Sequence, residues 1–323
     1  TAGTTGTAGT TGTAGTTGTA GTTGTAGSTG ATRPINVTGT GVFNKGGAYF
    51  NRDKKPVQGK LVLFTGGISN GRTSGSGGFD AFVHQYGFHC YLPVTDHGLV
   101  GGDVPQMYKD TLKTDPTNHE ANRQVGDARM ELWDGKDRVT WNNTSVAESI
   151  KAETEAMLKM NAEQDPGSDW GYFLNPDGSL RTTDVYVVGY SWGGQTWAMM
   201  SQYVNFGRVI VTAAPVDEGF PNGTWMTDRP SATPNDNKYA LIDQQTPWPG
   251  EMNQKFLNVM KAGWTGPVTN VTPNLMPATF TPDQHLFAMI GSGPNSPGGH
   301  TVFCTDNMQN QWLPVCKHVM GIK

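Results

Sequence analysis

The sequence predicts an α/β fold: a mostly parallel central sheet with helices on both faces. Three observations predict it. First, short β-branched apolar runs alternate with amphipathic segments from residue 60 to the C-terminus. Second, "KLVLFTGG" (60–67) and "RVIVTAAPV" (208–216) are continuously apolar rather than alternating, the pattern of strands buried on both faces. Third, "DVYVVGYSWGGQ" (184–195) runs from a strand pattern through a glycine-flanked serine into a helix pattern.

The elements follow in order. Residues 1–30 carry glycine at every third position from Gly3 to Gly30, with threonine, alanine and one serine between. With no apolar content beyond alanine, this segment cannot form a packed core. Its strict period of three is that of collagen-like polyproline-II arrays, in which every third residue faces an axis that only glycine fits. An extended oligomerisation segment that packs against copies from other subunits, as a homo-oligomer or filament, is expected; a flexible spacer is the alternative. Residues 31–57 read as lead-in strands, "GTGVFN" (39–44) and "GAYFNR" (47–52), and residues 58–323 as the main domain. Within it, "GFDAFVHQYG" (78–87) predicts a helix, "FHCYLPV" (88–94) a strand, and 95–143 a long irregular stretch. The helix predicted over 144–164 has Thr144 or Ser145 as N-cap, with Glu148 three residues after Ser145. A helix at 194–204, a strand at 238–243, a helix at 250–263, strand material at "PVTNV" and "HLFAMIG", and a helical tail complete the pattern.

Composition narrows the function classes. The 323 residues carry a net charge of −4 and only 15% charged side chains. No basic field is present for nucleic acid or an anionic membrane surface, and no run approaches eighteen apolar residues. Abundant Gly, Thr and Asn suggest a secreted, mature chain, extracellular or at the cell surface. Sequons at Asn36, Asn142, Asn143, Asn222 and Asn270 are N-glycosylation candidates in a host that glycosylates. Cys90 lies in an apolar run and reads as a buried free thiol. Cys304 and Cys316 are expected to form a disulfide, because Pro314 breaks any single helix that would hold them apart.

The chemistry centres on Gly189-Tyr190-Ser191-Trp192-Gly193-Gly194. G-x-S-x-G alone is a weak pattern in a glycine-rich chain. Here it sits between a strand and a helix, the setting that a nucleophilic serine requires. A strained turn projects the hydroxyl out of the sheet, and the flanking glycines clear space for it. The following helix aims its N-terminal N–H groups at developing negative charge.

At this point the sequence resembles the α/β-hydrolase superfamily, and most of all its secreted, bacterial-type serine hydrolases. The resemblance covers roughly residues 58–320 and rests on "KLVLFTGGISNG", "VYVVGYSWGGQ" and a later Asp and His; a segment like "ARMELWDG" (128–135) precedes the long helix and the serine turn. It implies the chain order Ser, acid, His. His300, in the loop "GPNSPGGHTVFC", fits the general base, while His285 opens an apolar run and fits packing, and His318 lies deep in the tail. Asp217 in "APVDEG" is the first candidate for the acid, with Asp243 at the end of "KYALID" or Glu218 as alternatives. The resemblance places an oxyanion hole at the Trp192 N–H and an N–H of Gly67 or Ile68.

A serine esterase of the Ser191–His300–Asp217 type, acting on small or polymeric esters, is the expected function. The rival reading is a structural or adhesive filament subunit in which the fold is chiefly a surface module. Asp96 beside His97 is too little for a metal site. With no HExxH, CxxC or phosphate-binding loop, no cofactor or metal is expected. Trp192, Trp197, Trp225 and Trp248 are candidates for lining an apolar pocket, Trp197 being the one best suited to the core.

Overall fold

The computed structural model describes residues 33–36, 47–50, 58–67, 79–93, 105–142, 144–214, 230–243, 251–261, 263–273, 276–277, 279–290, 304 and 309–323. In chain order the elements are β1 (Arg33–Asn36), β2 (Gly47–Phe50), β3 (Leu61–Thr65), α1 (Phe79–Gln85), β4 (His89–Leu92), α2 (Gln106–Thr114), α3 (His119–Asp134), α4 (Ile150–Gln164), β5 (Val185–Tyr190), α5 (Trp192–Met200), β6 (Arg208–Thr212), β7 (Lys238–Asp243), α6 (Glu251–Lys261), β8 (Val268–Val271), β9 (Leu286–Met289) and α7 (Gln309–Met320).

The strands form one sheet in the order β1-β2-β4-β3-β5-β6-β7-β9-β8. From β4 to β8 every pairing is parallel; β2 pairs antiparallel with both β1 and β4. The apolar strands explain why both faces are covered. Leu61, Leu63, Val185, Val187, Val209 and Val211 face one core, closed by α3 to α6. Val62, Phe64, Val188, Ile210 and Leu241 face the other, closed by α1 and α7. This is the α/β-hydrolase arrangement that the sequence predicts. After β3 the chain crosses to β4 on one side and returns to β5 on the other. β4 and β5 thus lie on opposite sides of β3, a topological switch point, and the C-terminal ends of the strands at such a point are the usual ligand position in such sheets.

Register also sets where the chain enters. Arg33 pairs with Phe50, and His89, Leu61 and Val185 lie in one row at the N-terminal edge of the parallel strands. β1 runs parallel in direction to β5, since two antiparallel steps separate it from β4. Arg33, the first described residue, thus lies at the end of the sheet opposite the C-terminal ends of β3 and β5.

Several expectations need correction. The stretch 95–143 is not irregular throughout: α2 and α3 occupy much of it. The segment "ARMELWDG" is the end of α3, stopped by Gly135 at φ 68°. The Ser145–Glu148 capping box belongs to a 3-10 turn over Val146–Glu148, and α4 begins later, capped by the Ser149 hydroxyl on the Ala152 N–H. The first lead-in strand is Arg33–Asn36; "GTGVFN" lies outside the described residues. Pro314 does not break the tail helix but sits inside α7. The Cys304–Cys316 bridge nevertheless forms, with Cα atoms 5.5 Å apart, because Cys304 precedes α7. Cys90 is a buried free thiol. Asn142 is a poor glycan acceptor: its side chain is buried and donates to the Ala128 carbonyl. Asn270 is exposed on the edge strand β8, and Asn143 and Asn222 lie outside the described residues. No helix among the described residues is long and apolar enough to cross a membrane.

Candidate active site

Ser191 occupies the single residue between β5 and α5, at φ 55° and ψ −119°. A non-glycine residue in that region costs on the order of 1–3 kcal/mol and persists only where its surroundings hold it. Backbone hydrogen bonds among the described residues help to hold it here. The Ser191 N–H donates to the Thr212 carbonyl of β6 at 2.9 Å, and the Ser191 carbonyl accepts from Gln195 N–H at 3.1 Å. The Gly193 N–H donates to the Gly66 carbonyl, just past β3, at 3.2 Å.

The glycines are required by close approach rather than by their own backbone angles. A Cβ on Gly189 would lie 2.4 Å from the Gly193 carbonyl carbon, and one on Gly193 would lie 2.2 Å from the Thr65 carbonyl oxygen. No real side chain fits either site, so the strand end, the turn and the helix start are packed backbone to backbone. The turn can be this sharp only with glycine at both places.

The oxyanion candidates fall as follows. Trp192 is the first residue of α5, and its N–H is among those that a helix leaves without an intrahelical acceptor. Its indole is buried in the main core together with Trp197. Gly67 lies directly beside the serine, since a Cβ on it would stand 3.3 Å from Ser191 Cβ. Ile68, the other loop candidate, lies outside the described residues.

Of the carboxylates, Asp243 ends β7 and is fully buried. The row Tyr190–Thr212–Leu241 crosses β5, β6 and β7. Ser191 therefore lies one residue beyond that row and Asp243 two, on strands two apart, about 10 Å laterally. An imidazole spans such a gap between a hydroxyl and a carboxylate. Asp217, Glu218 and His300 lie outside the described residues, as do Asp96, His97, Trp225 and Trp248. His285 is buried against Tyr239, ring centroids 4.9 Å apart, so it packs as expected. His318 packs against Tyr239 and donates from Nε2 to the Gln284 carbonyl at 2.8 Å, at the sheet edge away from Ser191. Among the described residues no cluster of His, Cys, Asp or Glu side chains is arranged to hold a metal ion.

One buried histidine escaped the sequence reading. His89 in β4 is edge-on to Trp170 and Phe173 and hydrogen-bonds the Ser168 carbonyl through Nε2. Burial holds its pKa down at about 4, so it is neutral at pH 7. It lies at the N-terminal edge and serves the core.

No family model and no curated protein matches the chain. Among solved structures it is similar to an S-formylglutathione hydrolase from Staphylococcus aureus, at 11% identity over 86% of this chain and 91% of that one, with a TM-score of 0.38. An acetyl xylan esterase from Aspergillus awamori matches at 13% identity over 72% of this chain and 80% of that one, TM-score 0.33. A chain assigned as a dipeptidyl aminopeptidase IV from Bacteroides ovatus matches at 12% identity over 85% of this chain, TM-score 0.37; this chain spans only 33% of its length.

Proposed function

We propose that the protein is a serine hydrolase acting on carboxylic esters, with Ser191 as nucleophile. The observation that carries this reading is the Ser191 backbone at φ 55° and ψ −119°, a strained serine at a strand–helix junction beside the topological switch point. Ser191 Oγ attacks the ester carbonyl, and His300 accepts its proton and returns it to the leaving alcohol. Asp217 holds the imidazole tautomer. Asp243 is the alternative acid, supported by its burial at the C-terminal end of β7. The oxyanion is held by the Trp192 N–H and by the loop at Gly67 and Ile68.

The course of the chain supports His300. β9 ends at Met289, which pairs with Asp243, so the chain leaves the sheet at the C-terminal end of β7. It is anchored again at Cys304 by the bridge to α7. His300 falls between these two anchors. The repeat is proposed to assemble or display this secreted domain on a cell surface or filament.

Labelling with a fluorophosphonate tests the reading. Native protein takes the label at Ser191 and hydrolyses p-nitrophenyl esters, and Ser191→Ala does neither. A native chain that takes no label overturns it.

A further inference from the structure

The residue before the nucleophile contacts the loop that flanks the nucleophile. A Cβ built on Gly67 would lie 3.2 Å from Tyr190 Cε1, 3.3 Å from Tyr190 Cδ1 and 3.3 Å from Ser191 Cβ. The Gly67 α-carbon therefore faces both the Tyr190 ring and the serine, with little room for a further carbon between them. On the far side of Ser191 the same loop is tied down by the Gly193 N–H on the Gly66 carbonyl. The loop after β3 is thus gripped from both sides of the nucleophile: by a hydrogen bond from the residue two after it and by an aromatic ring from the residue before it.

We propose that Tyr190 is a positioning residue whose ring sets the spacing between the Gly66–Gly67 loop and Ser191, and so the fit of the site to a tetrahedral oxyanion. The inference rests on the serine-hydrolase reading above. Tyr190 packs half-buried against the core on the α1 and α7 side, which fixes the ring from behind. Burial pushes its phenol up to about 12, so the ring carries no charge at neutral pH. A methyl group on Gly67 would meet both neighbours at 3.2–3.3 Å, so the ring, the serine or the loop would have to give by a few tenths of an ångström. Misplacement of reacting groups by about 1 Å costs on the order of 10²-fold in rate, so a shift of a few tenths of an ångström is visible in kcat.

The test compares Tyr190→Leu, Tyr190→Phe and Gly67→Ala on p-nitrophenyl acetate, with phenylboronic acid as the tetrahedral probe. Tyr190→Leu is expected to lower kcat by about 10-fold or more with KM within about twofold, and to weaken boronate binding by a similar factor. Tyr190→Phe keeps the ring and restores the rate. Gly67→Ala behaves like Tyr190→Leu. Unchanged kcat in Tyr190→Leu, or Tyr190→Phe as impaired as Tyr190→Leu, overturns the proposal. A second measurement needs no activity: the Tm loss caused by Gly67→Ala should shrink in the Tyr190→Leu background, because the ring it would strike is gone. Additive losses overturn the contact. Coupled losses in a wild-type chain that neither labels nor hydrolyses leave the contact standing and remove the hydrolase reading instead.

Discussion

Gly193 donates its N–H to the carbonyl of Gly66 at 3.2 Å, joining the first turn of α5 to the loop that leaves β3. The bond brings two chain segments more than a hundred residues apart to either side of Ser191. It depends on the absence of a side chain, since a Cβ on Gly193 would collide with the Thr65 and Gly66 carbonyls.

Gly193→Ala should therefore damage both stability and function. A methyl group 2.2 Å from a carbonyl oxygen forces the backbone apart. The expected cost is about 1–3 kcal/mol, read as a lower urea midpoint with little change in slope. Fluorophosphonate labelling should slow in the same variant even where it is folded.

The acid is decided by two substitutions. Asp217→Asn should fold normally and lower kcat by roughly 10³–10⁴-fold through loss of the correct imidazole tautomer. An almost fully active Asp217→Asn together with an inactive Asp243→Asn would transfer the role to the buried carboxylate at the end of β7.

Acid should destabilise the protein through His89. Its folded pKa is about 4, below the ordinary 6.5, so the unfolded chain binds the proton more readily. Stability is retained above pH 6.5 and is lost as pH falls from there towards 4, by up to about 3 kcal/mol from this group. Burial lowers the pKa of His285 and His318 too, so they add to the loss in the same direction. Urea midpoints at pH 7 and pH 4.5 should converge in part in His89→Gln.

Reduction should loosen the tail. Cys304 and Cys316 are 12 residues apart in sequence, and a loop of that size contributes about 3 kcal/mol in the chain-entropy model. Cys316 is buried in the core that α7 closes, so Cys304→Ser should lower Tm and expose the start of α7 to protease. Activity should fall with it if the segment anchored by Cys304 carries His300.

The repeat should assemble without obstructing the C-terminal ends of β3 and β5. Arg33 lies four strand spacings from β5 and on the opposite edge from Ser191, about 19 Å across and 20 Å along the strands. A chain starting at Arg33 should sediment as a smaller species than the full chain while keeping kcat on small esters. Two species of equal size would refute assembly through the repeat. Full chains immobilised by the N-terminus should still turn over a macromolecular ester.

What the sequence by itself determined was local. The β-branched run before Ser191, the glycines around it and the helix pattern after it placed the serine turn, because glycine requirement and strand periodicity are written within a dozen residues. Lys238–Asp243 was readable as a strand for the same reason, whereas the Cys304–Cys316 bridge forms because Cys304 precedes α7 and not because Pro314 breaks the helix. Only the tertiary structure decided the rest. α3 was illegible because its buried side includes Asn122, Arg129 and Glu131; Glu131 can be buried there since its carboxylate accepts from the Arg138 and Val139 N–H groups of the following turn. α7 keeps Pro314 in its interior because Trp312, Val315, Cys316 and Val319 bury one side of the helix against the sheet, outweighing one missing hydrogen bond. The position of β9 between β7 and β8, and the close approach of Gly67 to Tyr190 and Ser191, are products of long-range packing. No residue pattern encodes which strand lies beside which; that follows from burying two apolar faces at once.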